Sequence, residues 1–170
     1  MSRFRVLRAA ALLPGTVAVA IPALLVWLYG TDVGSGLESP LSALPVLAGG
    51  ALIVVALRLW LETARLFATA GDGTLAPWDP TRKLVVRGPY LRVRNPMISA
   101  VTFTLLGEAL LLGSIAILVE FALFALVNAI YIPLAEEPGL VRRFGDEYEQ
   151  YRRAVPRWIP RRKPWTPGGG

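Results

Sequence analysis

Between Met97 and Pro133 the chain runs for 37 residues with only two charged side chains, Glu108 and Glu120. A run of that length is too long for one ordinary membrane crossing and too apolar for the core helix of a soluble domain. Gly113-Ser114 interrupts it near the middle, and such a pair is a turn signal, so the run reads as a helical hairpin. At about 1.5 Å per residue, the first arm, Pro96 to Leu112, reaches about 25 Å, slightly short of a hydrocarbon core. The second arm, Ile115 to Ala135, spans it fully.

The rest of the sequence agrees with a lipid environment. Hydrophobic residues make up 54% of the 170, and the mean hydropathy is +0.51. That is more apolar surface than a soluble core of this length can cover, so the excess must face lipid. Cysteine and histidine are both absent. Their absence removes disulfides, thiolate nucleophiles, the usual zinc sites and imidazole acid/base chemistry together, leaving carboxylates, Tyr, Arg, Lys and the backbone.

Residues 9 to 29 form an apolar stretch behind an Arg-bearing N-terminus. It is too long for the apolar region of a signal peptide and no small-residue cleavage site follows, so it reads as a transmembrane helix, bent at Pro22. The connection from Gly30 to Pro40 carries Asp32 and Glu38 but no cation. A second span runs from Leu41 to about Leu61 and continues as an amphipathic extension, with Arg58, Glu62 and Arg65 on one helical face, until Gly71 ends it. Three cations precede the first span, five lie between 82 and 94, eight follow Val141, and none lies in the two remaining connections. Cations gather on the cytoplasmic side, which gives four spans with both termini inside. The net charge of +6 is therefore assigned to membrane orientation and anionic headgroups, and nucleic acid is set aside.

The fold class that follows is an all-α integral membrane protein of about four transmembrane helices, with a C-terminal helical hairpin and an amphipathic cytoplasmic tail. Its expected organisation is two N-terminal spans over 1–70, a functional region over 71–165, and a disordered tail over 166–170. The expected location is an inner or plasma membrane of bacterial type.

Chemistry concentrates where the hairpin begins and ends. Asn95 suits an N-cap and Pro96 the first helical position, so the third helix opens with free backbone donors, a positive dipole end and the neighbouring Arg92 and Arg94. That combination makes an anion site at the membrane surface; the plainer alternative is a capped helix with cations at lipid headgroups. Glu136 and Glu137 stand where the fourth helix leaves the membrane, against the helix dipole, so a further partner should stabilise them. Antiparallel arms return these carboxylates to the membrane face that holds Arg94, Asn95 and Pro96, where a cationic and an anionic half-site can meet. Ordinary interfacial solvation with an Arg partner is the alternative. Leu140, Phe144, Tyr148 and Tyr151 recur at helical spacing and cover something apolar, packing or membrane before a ligand wall. Trp158 and Trp165 suit interface anchors. Glu108 and Glu120 flank the hairpin turn, near enough to reach interfacial water.

The run GDGTLAPWDPTRKLVVRGPYLRVRNPM, followed after the hairpin by EEPGLVRRFGDEYEQYRRAVPRWIPR, resembles the isoprenylcysteine carboxyl methyltransferase family and its bacterial and phospholipid-methylating relatives. The resemblance covers roughly Gly71 to Arg161. It implies a membrane methyltransferase that uses S-adenosyl-L-methionine in a cytoplasm-facing pocket, with a lipophilic or membrane-delivered acceptor and the lipid bilayer as partner. Carried over by position, it implies cofactor contacts from Gly88, Pro89, Tyr90, Arg94, Asn95, Pro96, Glu136, Glu137, Leu140, Phe144, Tyr148 and Tyr151, with Arg94, Asn95 and Glu137 as the catalytic set and no metal. Two positions depart from many relatives: Asn95 stands for His and Ile98 for Tyr. Asn keeps a donor and an acceptor but cannot titrate. Methyl transfer to an acceptor that is already ionised needs alignment and no general base, so a chain without His or Cys can perform it. The alternatives are an NADPH-dependent membrane reductase of sterol-reductase type and a non-catalytic scaffold or transporter.

Overall fold

The computed structural model describes residues 14–31, 43–70 and 83–166. The Arg-bearing N-terminus, most of the 30–40 connection, the start of the second span, the loop through residue 82 and the last four residues lie outside the described residues. Among the described residues every regular element is helical. A π-helical turn, Thr16–Ala20, leads into α1, Ile21–Tyr29. α2 is Ala43–Ala70, a 3-10 turn covers Gly88–Leu91, and α3 and α4 are Pro96–Leu112 and Ile115–Tyr131. A second π-helical turn, Ile132–Glu136, leads to α5, Glu137–Phe144, and then to α6, Asp146–Ala154.

Among the described residues, two helical segments are long and apolar enough to cross a membrane: Ala43–Phe67, and the continuous helix Ile115–Phe144 that joins α4 to α5. The helices Thr16–Tyr29 and Pro96–Leu112 are apolar but shorter. Leu47, Val54 and Leu57 on α2, and Leu118, Leu123 and Val127 on α4, are exposed. Apolar faces of that extent on a folded chain mark contact with lipid, and the protein is membrane-associated.

α3 is the central element. Pro96, Met97, Ala100, Val101, Leu105, Gly107 and Ala109 are buried along it, and it packs antiparallel to α2. The crossing of these two helices rests on glycine meeting glycine. A Cβ added to Gly49 would lie 2.6 Å from the Gly107 carbonyl oxygen, and one added to Gly107 would lie 2.8 Å from the Gly49 carbonyl oxygen. Small residues that let two backbones touch are the usual means of joining helices where lipid removes the hydrophobic driving force. On the other side of α3, Val101, Leu105 and Ala109 form a core with Ala18 and Ile117.

The hairpin turn lies at Gly113-Ser114. Gly113 adopts φ 60° and ψ 27°, the left-handed conformation that ends α3, and Ser114 caps α4 by accepting a 3.4 Å hydrogen bond from the Ile117 N–H. Pro22, where a bend is expected, follows a π turn that closes from the Ile21 N–H to the Thr16 carbonyl. The second π turn contains Pro133 and is followed by Pro138 as the first is by Pro22. Arg58, Glu62 and Arg65 are exposed on α2 while Ala56, Thr63, Ala64 and Phe67 face inward, so the amphipathic extension continues the span as one helix.

The tail departs from a single amphipathic helix. Gly145 interrupts it with φ 53° and ψ −131°, ending α5 and starting α6 in a new direction. The face Leu140, Phe144, Tyr148, Tyr151 survives the break, because Leu140 and Phe144 pack on the buried Tyr148 and Tyr151 from across the kink.

Candidate functional site

The entrance of α3, the exit of the fourth helix and the chain after α6 converge. Glu137 follows the apolar part of the long helix, beyond the arm Ile115 to Ala135 expected to span the membrane, and is buried. A π turn inserts an extra residue into the helix and rotates everything beyond it relative to an unbroken α-helix. The turn at Ile132–Glu136 thus precedes a Glu137 that faces inward, while Glu136 is exposed.

Arg157 donates from Nε to Glu137 Oε1 at 2.7 Å and from Nη2 to Oε2 at 2.9 Å, a bidentate pair. Arg94 Nη1 lies 2.8 Å from the same Oε1. This third contact is an ion pair, and Arg94 Nη1 and Nε are covered without a hydrogen bond. Burial works to raise the Glu137 carboxyl, but the hydrogen bond from Arg157 and the charge of Arg94 outweigh it and hold the group below the ordinary carboxylate range. The hydrogen bond to Glu137 in turn raises Arg157.

Aromatic hydroxyls complete the cluster. Burial, and then the charge of Glu137, push the Tyr148 phenol up, while Arg94 opposes the shift. Burial holds Tyr90 and Tyr151 well above the ordinary phenol range, so both are proton-bearing donors. Tyr151 Oη donates to the Tyr90 carbonyl at 2.8 Å. The Tyr90 ring meets Phe67 of α2 edge to face, with centroids 5.8 Å apart. Gly88 permits this 3-10 turn by taking φ 56°, where its Cα stands close to Leu66.

Residues 155–166 wrap back over this floor. The Arg94 N–H donates to the Pro156 carbonyl at 2.9 Å, Arg161 N–H to Arg92 at 3.0 Å, and Trp165 N–H to Leu91 at 2.8 Å. The Arg92 guanidinium reaches the carbonyls of Arg161 and Arg162, and the Trp165 ring lies 5.9 Å from that of Tyr151. Trp165 is therefore part of the fold of the site and not a membrane anchor. Trp158 is exposed and retains that reading.

Of the residues singled out in the sequence, the structure brings together Tyr90, Arg94, Asn95, Pro96, Glu137, Tyr148 and Tyr151, with Gly88, Pro89, Leu140 and Phe144 in supporting positions. Asn95 occupies the N-cap position of α3 but its side chain does not cap it. Its Nδ2 donates to the Arg157 carbonyl at 3.4 Å, and its own carbonyl accepts from the Ser99 N–H and hydroxyl. Glu108 and Glu120 lie toward the turn end of α3 and α4, away from this cluster, and Glu108 Oε2 and both Glu120 carboxyl oxygens are covered. An apolar groove of about 530 Å³ lined by Leu25, Tyr29, Ser114 and Val119 also lies at that turn end. Sequence reasoning missed Arg157, grouped there with the headgroup cations. The available signal was the dipole conflict at Glu137, which called for a buried cation.

Fold and site together define a helical membrane protein whose charged cluster is built from helix ends and a returning tail. The chain belongs to the phospholipid methyltransferase family, whose match covers residues 45–147. It is also similar to a Schizosaccharomyces pombe protein named Protein-S-isoprenylcysteine O-methyltransferase, at 41% identity over 80 residues. That alignment covers 45% of this chain and 33% of the yeast protein, so the chain spans about a third of the length of the curated relative it matches. No solved structure matches the chain. The matches favour neither the reductase nor the scaffold alternative.

Proposed function

We propose that the protein is a membrane-embedded methyltransferase that uses S-adenosyl-L-methionine at the Arg94–Glu137 cluster and acts on a lipophilic acceptor delivered through the bilayer. The observation that supports this most directly is that Arg94 lies covered beside the Glu137 carboxylate, ion-paired to it through Nη1, while its Nε and Nη1 make no hydrogen bond. Buried guanidinium donors that make no hydrogen bond are costly, and a ligand carboxylate relieves that cost. A zwitterionic amino-acid end, with one carboxylate and one ammonium, suits Arg94 and Glu137 together.

The bound cofactor supplies an electrophilic methyl group on a sulfonium. Arg94 holds the carboxylate, Glu137 faces the ammonium, and the phenol of Tyr148 stands beside both. Tyr90, Leu140, Phe144 and Tyr151 close the apolar side of the pocket and exclude water. Asn95 acts by holding the tail in place. None of these groups has to move a proton, which agrees with a reaction governed by alignment. The groove at the hairpin turn is separated from the cluster by the length of α3, so the acceptor is proposed to enter near the α3 entrance.

The test is ligand binding to detergent-solubilised protein. S-adenosylhomocysteine should bind, and NADPH should not. Arg94→Ala and Glu137→Ala should each weaken binding by about ten- to a hundredfold, or about 1.5 to 3 kcal/mol, while the protein elutes as one species. Unchanged affinity in both variants returns the cluster to a purely structural role.

A further inference from the structure

Two guanidiniums contact Glu137, and they are used differently. Arg157 engages both carboxylate oxygens in the planar fork that satisfies the anion. Arg94 touches one oxygen only, and its Nε and Nη1 are left without hydrogen bonds. The deeper arginine, 10% exposed at its side chain, is thus the one that makes only a one-oxygen ion pair, and the shallower one, at 31%, forks both carboxylate oxygens. Two cations in contact with one anion leave an excess of positive charge that an anionic group can neutralise.

Resting on the methyltransferase reading, we propose that Arg157 is a positioning residue: by hydrogen-bonding both oxygens of Glu137, it leaves the hydrogen-bond donors of Arg94, which only ion-pairs with Glu137, to receive the carboxylate of the cofactor's amino-acid end. The backbone on either side of Arg157 is set for this. The Pro156 carbonyl accepts from the Arg94 N–H, and the Arg157 carbonyl accepts from Asn95 Nδ2. The guanidinium is therefore anchored to the α3 entrance by the same two residues whose function it serves. Without Arg157, Glu137 must draw its hydrogen bonds from Arg94, and the donors meant for the ligand become engaged within the protein. The family match ends at residue 147, before this arginine.

The experiment compares two ligands on the full chain in detergent. S-adenosylhomocysteine carries the carboxylate; S-adenosyl-3-thiopropylamine keeps the ammonium and lacks only that group. Arg157→Gln should lose about tenfold or more in affinity for the first and less than about twofold for the second. Arg157→Lys, which keeps the charge but not the fork, should fall between native and Arg157→Gln on the first ligand and leave the second unchanged. Equal losses for both ligands would show that Arg157 only holds the tail, and an unchanged affinity for S-adenosylhomocysteine would show that Arg94 needs no such help; either overturns the proposal. If Arg157→Gln does not yield a single folded species, Arg157→Lys must show the same selective loss or the proposal fails. Native protein that binds neither ligand overturns the methyltransferase reading instead, and this inference with it.

Discussion

Gly145 shows how one residue shapes the site. Its φ of 53° with ψ of −131° lies where L side chains rarely go, yet no atom stands within 4 Å of the position its Cβ would take. Substitution there strains the backbone without any clash. Gly145→Ala should lower thermal stability by about 1 to 3 kcal/mol and loosen Tyr148 and Tyr151 from Leu140 and Phe144, read as a lower unfolding midpoint together with greater exposure of tyrosine fluorescence. A variant as stable as the native protein, with an unchanged spectrum, would mean that α5 and α6 can join without the kink. The sequence marks Gly145 only weakly, because the helical spacing of Leu140, Phe144, Tyr148 and Tyr151 continues through it. Periodicity along one chain reports which residues share an apolar environment, and a kinked pair of helices can meet that demand as well as a straight one.

At the level of elements, the hairpin was legible in detail because its turn chemistry is local: a left-handed glycine followed by a serine cap ends one helix and starts the next within two residues. The α2–α3 crossing was not legible, since neither Gly49 nor Gly107 carries a local signal and their significance appears only when two distant backbones touch. Gly107→Val should force the helices apart against the Gly49 carbonyl and Ile53, costing about 1 to 3 kcal/mol by overpacking. The measurement is the unfolding midpoint in mild detergent beside Gly50→Val, where a Cβ meets open space and should be tolerated far better. Equal tolerance of the two would remove the crossing from the contacts that hold α3 central.

For the whole molecule, two long apolar helices establish membrane association, while four spans with both termini inside are our proposal from the cation distribution. A cysteine-free chain allows a direct test with an impermeant maleimide in intact cells. Thr31→Cys, exposed at the end of α1, should label from outside; Thr166→Cys, exposed just beyond Trp165, should label only after the membrane is opened. Labelling at residue 166 in intact cells would place the Arg94–Glu137 cluster away from cytoplasmic S-adenosyl-L-methionine and sink the orientation together with the proposed access route.

The sequence by itself determined the lipid environment, the helical class, the hairpin and the return of Glu137 to the membrane face of Arg94, since hydropathy, turn residues and helix length are properties of contiguous residues. Only the tertiary structure decided that Glu137 and not Glu136 turns inward, that the Asn95 amide holds the tail and does not cap α3, and that Arg157 forks both carboxylate oxygens while Arg94 ion-pairs with one. Those outcomes depend on the rotation introduced by the π turn at Ile132–Glu136 and on side-chain and backbone hydrogen bonds between segments more than sixty residues apart. Rotation about a helix axis and the choice between two equally charged arginines are settled by packing in three dimensions, and no local pattern encodes them.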